Sequence, residues 1–142
     1  MSNQIAENLY LSLVHMAEEF RNQSPPDIRN CLQCLFAILN MRVPLPDLEA
    51  KTHLQIGCLL YQYTNNLEHA KSHLKKAWYL TQNLQNCQEI MFESISQLAK
   101  VYEKLVSSFC FDFCSNCFCF CLNCFCFDLK NFFFFVCNPE SN

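Results

Sequence analysis

Apolar side chains recur every three to four residues along the first 105 positions of the chain, the spacing of amphipathic α-helices. Polar or proline-containing breaks interrupt this pattern at 22–26, 41–46 and 64–66. The period-2 alternation of strands is absent from this part, so the predicted fold class is all-α. Five helices are predicted, at about 4–21, 25–40, 47–63, from the cap at Asn65 to about Leu84, and 88–105.

Two of these helices begin with capping signals. Ser24 precedes Pro25, which suits the first helical position, and Asp27 follows three residues after the serine. Asn65 is followed three residues later by Glu68, as in a capping box. We therefore expect Ser24 to cap the second helix and Asn65 to cap the fourth.

The apolar stripes of successive helices repeat along the chain. The second and fourth helices match at an offset of 39 residues, and the third and fifth match at an offset of 42. Helix pairs that repeat at this period indicate a tetratricopeptide-like array, here of about two and a half units. An antiparallel helical bundle is the alternative. The predicted packing positions are Cys31, Leu35, Ile38, Ile56, Gly57, Leu60, Ala70, Leu74, Ala77, Leu98, Ala99 and Tyr102.

The central unit can be compared with the tetratricopeptide pattern, W-x2-L-G-x2-Y followed by A-x3-F. It keeps the small residues of that pattern and has a histidine in place of the tryptophan. Gly57 lies inside an apolar helical run, where glycine costs about 1 kcal/mol relative to alanine, so close approach of another backbone is expected there. The unit reads His53-x2-Ile56-Gly57-x2-Leu60, then Ala70-x3-Leu74-x2-Ala77.

The first helix of each pair lines the concave face of a tetratricopeptide-like array, which suits an extended peptide. Helical phase predicts which side chains of the third and fifth helices project there. The predicted partner-binding residues are Lys51, Leu54, Cys58, Tyr61, Glu93, Ser96, Lys100 and Glu103.

Charge and composition argue against other classes of function. The net charge is -3 and the ten Lys and Arg residues are not clustered, which disfavours direct binding of nucleic acid. A single glycine leaves no glycine-rich phosphate loop, and no Ser/His/Asp grouping stands out, so neither an enzyme nor a cofactor is expected. The N-terminus lacks a basic n-region, so we expect no secretory signal and reduced thiols.

A few further side chains allow two interpretations. His69 and His73 have the i, i+4 spacing of metal ligands, but no third ligand is evident, and surface histidines are favoured. Cys31 and Cys34 resemble a redox pair, but mid-helix positions favour core packing. Trp78 is expected to pack between the second and third units, with a role as a partner anchor as the alternative.

The chain changes character after residue 106. Eight of the twelve Cys and eleven of the fourteen Phe lie beyond Ser108. We therefore divide the chain into helical repeats at 1–106 and a low-complexity Phe/Cys-rich tail at 107–142. Since Val106-Ser107 could be encoded as a splice-donor sequence, the tail is interpreted as translated intron or an alternative terminal exon.

Three other interpretations of the tail remain open. Cys114, Cys117, Cys121 and Cys124 form two C-x2-C pairs that could bind a metal, although three residues between pairs is far shorter than in zinc ribbons. Residues 109–127 could span a membrane as a helix of about 28 Å, although several polar side chains would then lie in hydrocarbon. The alternating Phe and Cys residues could also aggregate as β-structure. No metal site or membrane association is expected.

Residues 9–106 resemble one family of helical-repeat proteins, the Mau-2 subunit of the cohesin loader, or sister chromatid cohesion factor family. The most specific stretches are EFRNQSPPDIRNCLQCL at 19–35, EAKTHLQIGCLLYQYTNNLEHAKSHLKKAW at 49–78 and FESISQLAKVY at 92–102. The resemblance implies a nuclear, chromatin-associated scaffold whose repeats enclose an extended segment of the large Nipped-B-type loader subunit. Through that partner it would support cohesin loading, sister chromatid cohesion and chromosome segregation.

Overall fold

The computed structural model describes residues 3–41 and 45–113, with side chains up to residue 108. The described residues contain no strand, and the prediction of an all-α helical-repeat array is confirmed. Helix α1 packs on α2, α3 packs on α4, and α2 joins the two pairs through α3. The five helices of the described residues are α1 (Asn3–Asn22), α2 (Ile28–Asn40), α3 (Pro46–Tyr63), α4 (Leu67–Thr81) and α5 (Gln88–Phe113).

The chain divides into two compact units, Met1–Val101 and Tyr102–Asn142. The first unit contains α1 to α4 and the beginning of α5. Within the second unit the structure describes residues 102–113, which are helical and belong to α5. Helix α5 therefore continues past the predicted end at 105. The division predicted at 106 stays a prediction, because most of the tail lies outside the described residues.

Helix α2 begins later than predicted because its N-cap is Asp27, not Ser24. One carboxylate oxygen of Asp27 accepts from the Asn30 backbone N–H at 3.1 Å, and the other accepts from the Asn30 side-chain amide at 2.7 Å. The Asp27 backbone N–H also donates to the Phe20 carbonyl oxygen of α1 at 2.9 Å. The cap thus joins α1 to α2, whereas Ser24 is exposed.

Replacing Asp27 by Ala is expected to lower the free energy of unfolding by about 0.5–2 kcal/mol, the usual cost of losing an N-cap side chain. Chemical denaturation of the full chain, followed by circular dichroism, measures this change. Ser24→Ala is the matched control, since Ser24 is the cap predicted from sequence, and it should change stability by less than about 0.5 kcal/mol. A larger loss of stability in Ser24→Ala than in Asp27→Ala would contradict the assignment of Asp27 as the N-cap.

The turn between α3 and α4 also differs from the prediction by one residue. The N-cap of α4 is Asn66, not Asn65, and its side-chain oxygen accepts from the His69 N–H at 3.4 Å. The Thr64 hydroxyl accepts from the Asn66 N–H at 3.1 Å, which shapes the turn ahead of the cap. At its other end α4 stops at Thr81, before the predicted end at Leu84.

Close contact between α3 and α4 explains the single glycine of the chain. A Cβ atom placed on Gly57 would lie 2.5 Å from Leu74 Cγ and 2.7 Å from Leu74 Cδ2. It would also lie 3.3 Å from the carbonyl oxygen of Ala70. Because contacts under 3 Å are repulsive, only glycine lets α3 approach α4 this closely.

Most of the predicted packing positions are buried, and the exceptions lie on α5. The offset of 42 predicts that Ala99 packs as Gly57 does, whereas the structure leaves Ala99 exposed and Tyr102 half-buried. Among the described side chains of α5, the fully buried ones are Ser94, Leu98 and Val101, and Leu98 alone of these was a predicted packing position. In a third pair, the helix equivalent to α4 would begin after Phe113, outside the described residues. The buried predicted positions are Cys31, Leu35, Ile38, Ile56, Gly57, Leu60, Ala70, Leu74, Ala77 and Leu98.

Candidate functional site

The predicted binding residues of α3 form one stripe, away from the residues that pack on α4. Lys51 is exposed, while Leu54, Cys58 and Tyr61 are half-buried. Their spacing of three, four and three residues keeps them on one side of the helix. The three half-buried side chains therefore pack against neighbouring residues on one side and remain accessible on the other.

Cys58 on α3 lies within electrostatic range of two charged side chains on α5. Burial raises the pKa of the Cys58 thiol to about 11, with the negative charge of Glu93 adding to the rise and the positive charge of Lys100 opposing it. Both charged residues lie on α5, within the same compact unit as Cys58. The structure therefore brings together three of the predicted binding residues from two helices.

Gln97 holds Glu93 in place and was not among the predicted residues. The buried Gln97 side chain donates through Nε2 to Glu93 Oε1 at 2.7 Å. The Glu93 side chain is otherwise exposed, so this bond restricts a carboxylate that faces solvent. The i, i+4 spacing of glutamate and glutamine on one helix is the sequence signal that could have identified the pair.

The other predicted residues of α5 are exposed. Ser96 and Lys100 belong to the same unit as α3, whereas Glu103 belongs to the second unit. The resulting surface, which we call the α3/α5 surface, comprises Leu54, Cys58, Glu93 and Lys100. Because the thiol is neutral at pH 7, this surface combines an apolar floor with one negative and one positive side chain.

The structure pairs His73 with a histidine of the neighbouring helix and not with His69, its i, i−4 neighbour. His73 Nδ1 lies 2.8 Å from Nδ1 of His53 on α3, whereas His69 is exposed. His53 occupies the place of the tryptophan in the tetratricopeptide pattern, so it faces the neighbouring helices. The interpretation of His73 as a surface histidine is therefore wrong, because it ignored the helix packed against α4.

The remaining candidate side chains lie where packing would place them. Cys31 and Cys34 are both buried and free, and burial raises the pKa of each thiol. Trp78 is half-buried. Among the described side chains, no group of three or more His, Cys, Asp or Glu residues could hold a metal ion.

The predictions for the Cys-rich tail fall largely outside the described residues. The four cysteines of the two C-x2-C pairs lie there, as does most of the segment 109–127. Within the described ranges, none of the helices has the length and apolar character needed to cross a membrane.

Comparison with known proteins identifies the chain's relatives. Residues 9–118 match the family model described as "Cohesin loading factor". The chain is 44% identical over 95 residues to the "MAU2 chromatid cohesion factor homolog" of Aedes aegypti, covering 67% of this chain and 15% of the relative. The corresponding proteins of Drosophila willistoni and Drosophila grimshawi are 42% identical over 93 residues and 40% identical over 99 residues. These two alignments cover 66% and 70% of this chain, and 14% and 16% of the relatives.

The aligned region is thus a small part of each relative, since the chain spans about 15% of the length of the relatives it matches. No solved structure matches the chain.

Proposed function

Because the chain belongs to the cohesin loading factor family, we propose that it is a non-enzymatic scaffold that acts in cohesin loading and sister chromatid cohesion. Its ligand would be an extended segment of a partner protein, the N-terminal part of a Nipped-B-type loader subunit. Cohesin would be reached indirectly through that partner. This role places the protein in the nucleus, in association with chromatin.

The observation that supports this proposal is the electrostatic effect of Glu93 and Lys100, both on α5, on the pKa of Cys58 on α3. Helices α3 and α5 are the first helices of neighbouring pairs, and such helices line the concave face of a helical-repeat array. A surface that continues from one first helix to the next can follow an extended chain over several residues. A single helix pair would offer only one helix to such a ligand.

The chemistry of the α3/α5 surface also suits a peptide. Leu54 and the neutral Cys58 thiol can receive an apolar side chain, while Glu93 and Lys100 can pair with charges on either side of it. Charged groups at the rim of an interface favour correct register and fast association. Gln97 keeps the Glu93 carboxylate in position, which lowers the entropy lost on binding.

Reversing the charge of Lys100 tests this surface. Lys100→Glu is expected to weaken binding of the N-terminal Nipped-B-type segment by about tenfold, equivalent to about 1.4 kcal/mol. Isothermal titration calorimetry with the full chain measures the dissociation constant.

Arg29→Glu is the matched control, since Arg29 is an exposed basic residue on α2, the second helix of its pair. This control should bind within twofold of the unsubstituted chain. Equal weakening by both substitutions would show that net charge, and not the α3/α5 surface, determines binding. Absence of binding by the folded, unsubstituted chain would refute the proposed partner.

A further inference from the structure

Two histidines from different helices share a hydrogen bond inside the array. His53 Nδ1 on α3 and His73 Nδ1 on α4 lie 2.8 Å apart, and the ring centroids are 5.0 Å apart. A neutral imidazole carries one N–H donor and one acceptor nitrogen. The bond therefore requires that one Nδ1 is protonated and the other is not. When both rings are charged, both Nδ1 atoms are donors and the bond cannot form.

The histidine pair lies within the second helix pair and is in contact with the first pair through one aromatic ring. Phe36 of α2 lies with its ring centroid 5.7 Å from that of His73, in an edge-to-face arrangement with an interplanar angle of 65°. The three rings come from α2, α3 and α4, so they lie where α2 meets the next pair. We call these residues, Phe36, His53 and His73, the ring cluster.

Two basic side chains beside the ring cluster disfavour its protonation. On α4, Lys76 acts on His53 and His69 acts on His73, and both oppose a further positive charge. On α3, Glu49 Oε1 lies 3.7 Å from His53 Nε2, but this carboxylate is itself 40% exposed and is screened by water. The neighbour from α2, Phe36, is uncharged.

Burial acts in the same direction as these charges. Burial lowers the pKa of His53 to about 4, with His73 and Lys76 contributing further. Burial, with a smaller effect of His69, also lowers the pKa of His73 from its ordinary value. In the unfolded chain both histidines regain a pKa of about 6.5.

The sign of the pH effect follows from this difference. Between pH 6.5 and 4 the unfolded chain binds more protons than the folded chain, so acid favours unfolding. The contribution of the neutral pair is fully present above about pH 6.5 and is lost as the pH falls towards the folded pKa.

We propose that the ring cluster is a proton-sensitive junction between α3 and α4, on which α2 rests through Phe36, closed when His53 and His73 are neutral and loosened when they are protonated. At neutral pH the hydrogen bond joins α3 to α4, and the ring contact between Phe36 and His73 holds α2 on the second pair. In acid the bond is lost, the two charged rings repel each other, and the junction opens before the rest of the helical array. The array thereby responds to protons at one defined position.

The first test needs no substitution. The ring Cε1–H signals of the four histidines in the full chain are followed by nuclear magnetic resonance from pH 8 to pH 4. The ordinary histidine pKa of about 6.5 is the reference. His53 is expected to protonate at least one pH unit below this value. A midpoint for His53 above about pH 5.5 would refute the proposal.

The second test removes the titrating group but keeps an aromatic ring. From pH 7 to pH 5, a folded pKa of about 4 and an unfolded pKa of about 6.5 for His53 lower the folding equilibrium constant by about 20-fold. His53→Phe should lose this part of the pH dependence, and the control His15→Gln should keep it. The folding constant is measured by chemical denaturation of the full chain at both pH values.

Equal pH dependence in His53→Phe and the unsubstituted chain would contradict the junction. Hydrogen exchange of the unsubstituted chain shows where the structure opens. After correction for the intrinsic pH dependence of exchange, protection should fall first at the amides of α3 and α4 nearest the ring cluster. Uniform loss of protection over α1 to α4 would also overturn the proposal.

Discussion

Leu74→Ala is expected to lower the free energy of unfolding by about 2–5 kcal/mol, the usual range for removing a fully buried leucine from a core. Leu74 has no exposed surface and lies against Gly57, at the closest approach of α3 and α4. Gly57 has no side chain that could move into the space left by the leucine. The cavity should therefore remain open, and the cost should lie in the upper part of the range.

Chemical denaturation of the full chain at pH 7.5 measures this loss. The matched control is Leu11→Ala, the same chemical change at a leucine of α1 that is 61% exposed. The control should change stability by less than about 0.5 kcal/mol. An equal loss of stability in Leu74→Ala and Leu11→Ala would contradict the burial of Leu74 between α3 and α4.

Gly57→Ala is expected to destabilise the protein, although alanine is the better helix former. The added Cβ would overlap Leu74 Cγ and Cδ2, and Leu74 is fully buried and has no space into which to turn. Overpacking of this kind costs about 1–3 kcal/mol, and the gain in helix propensity offsets about 1 kcal/mol. Because Leu74 cannot turn away, the overpacking cost should lie in the upper part of its range, which leaves a net loss of up to about 2 kcal/mol.

Gln62→Ala is the control for this substitution, since Gln62 is exposed on the same helix, and its stability change should stay within about 0.5 kcal/mol. The double substitution of Gly57 and Leu74 by alanine gives a sharper test. With the leucine removed, the new Cβ fills vacated space, so Gly57→Ala should become neutral or stabilising. A cost for Gly57→Ala that is unchanged by Leu74→Ala would show that the two positions do not touch.

The two substitutions together illustrate why sequence reasoning could identify the packing positions of α3 and α4. Glycine inside an apolar helical run is unfavourable unless a neighbour requires it, so its presence alone indicates a close contact. The stripe of Ala70, Leu74 and Ala77 repeats at a fixed offset from α2, which marks the same face of α4. Both signals are visible in the sequence alone, and all three stripe residues are fully buried in the structure.

The exact ends of the helices are harder to predict from sequence than the presence of the helices. Ser24 and Asp27 both suit an N-cap, as do Asn65 and Asn66, and short-range preferences do not separate them. Asp27 is the N-cap, and its backbone N–H also donates to the carbonyl oxygen of Phe20 in α1. This second bond involves a residue of another helix. The predicted end of α5 at 105 lies close to the change in composition, yet residues 106–113 contain no glycine or proline that would end the helix.

The fold class, the five helices and the family resemblance are contained in the sequence alone, and the family match over residues 9–118 confirmed the resemblance. These properties depend on periodicity and on the spacing of small residues, which are visible along one chain. The pairing of His53 with His73, the effect of Glu93 and Lys100 on Cys58, and the exposure of Ala99 come from the tertiary structure. Such contacts join residues far apart in sequence, and their distances depend on how closely and at what angle whole helices pack.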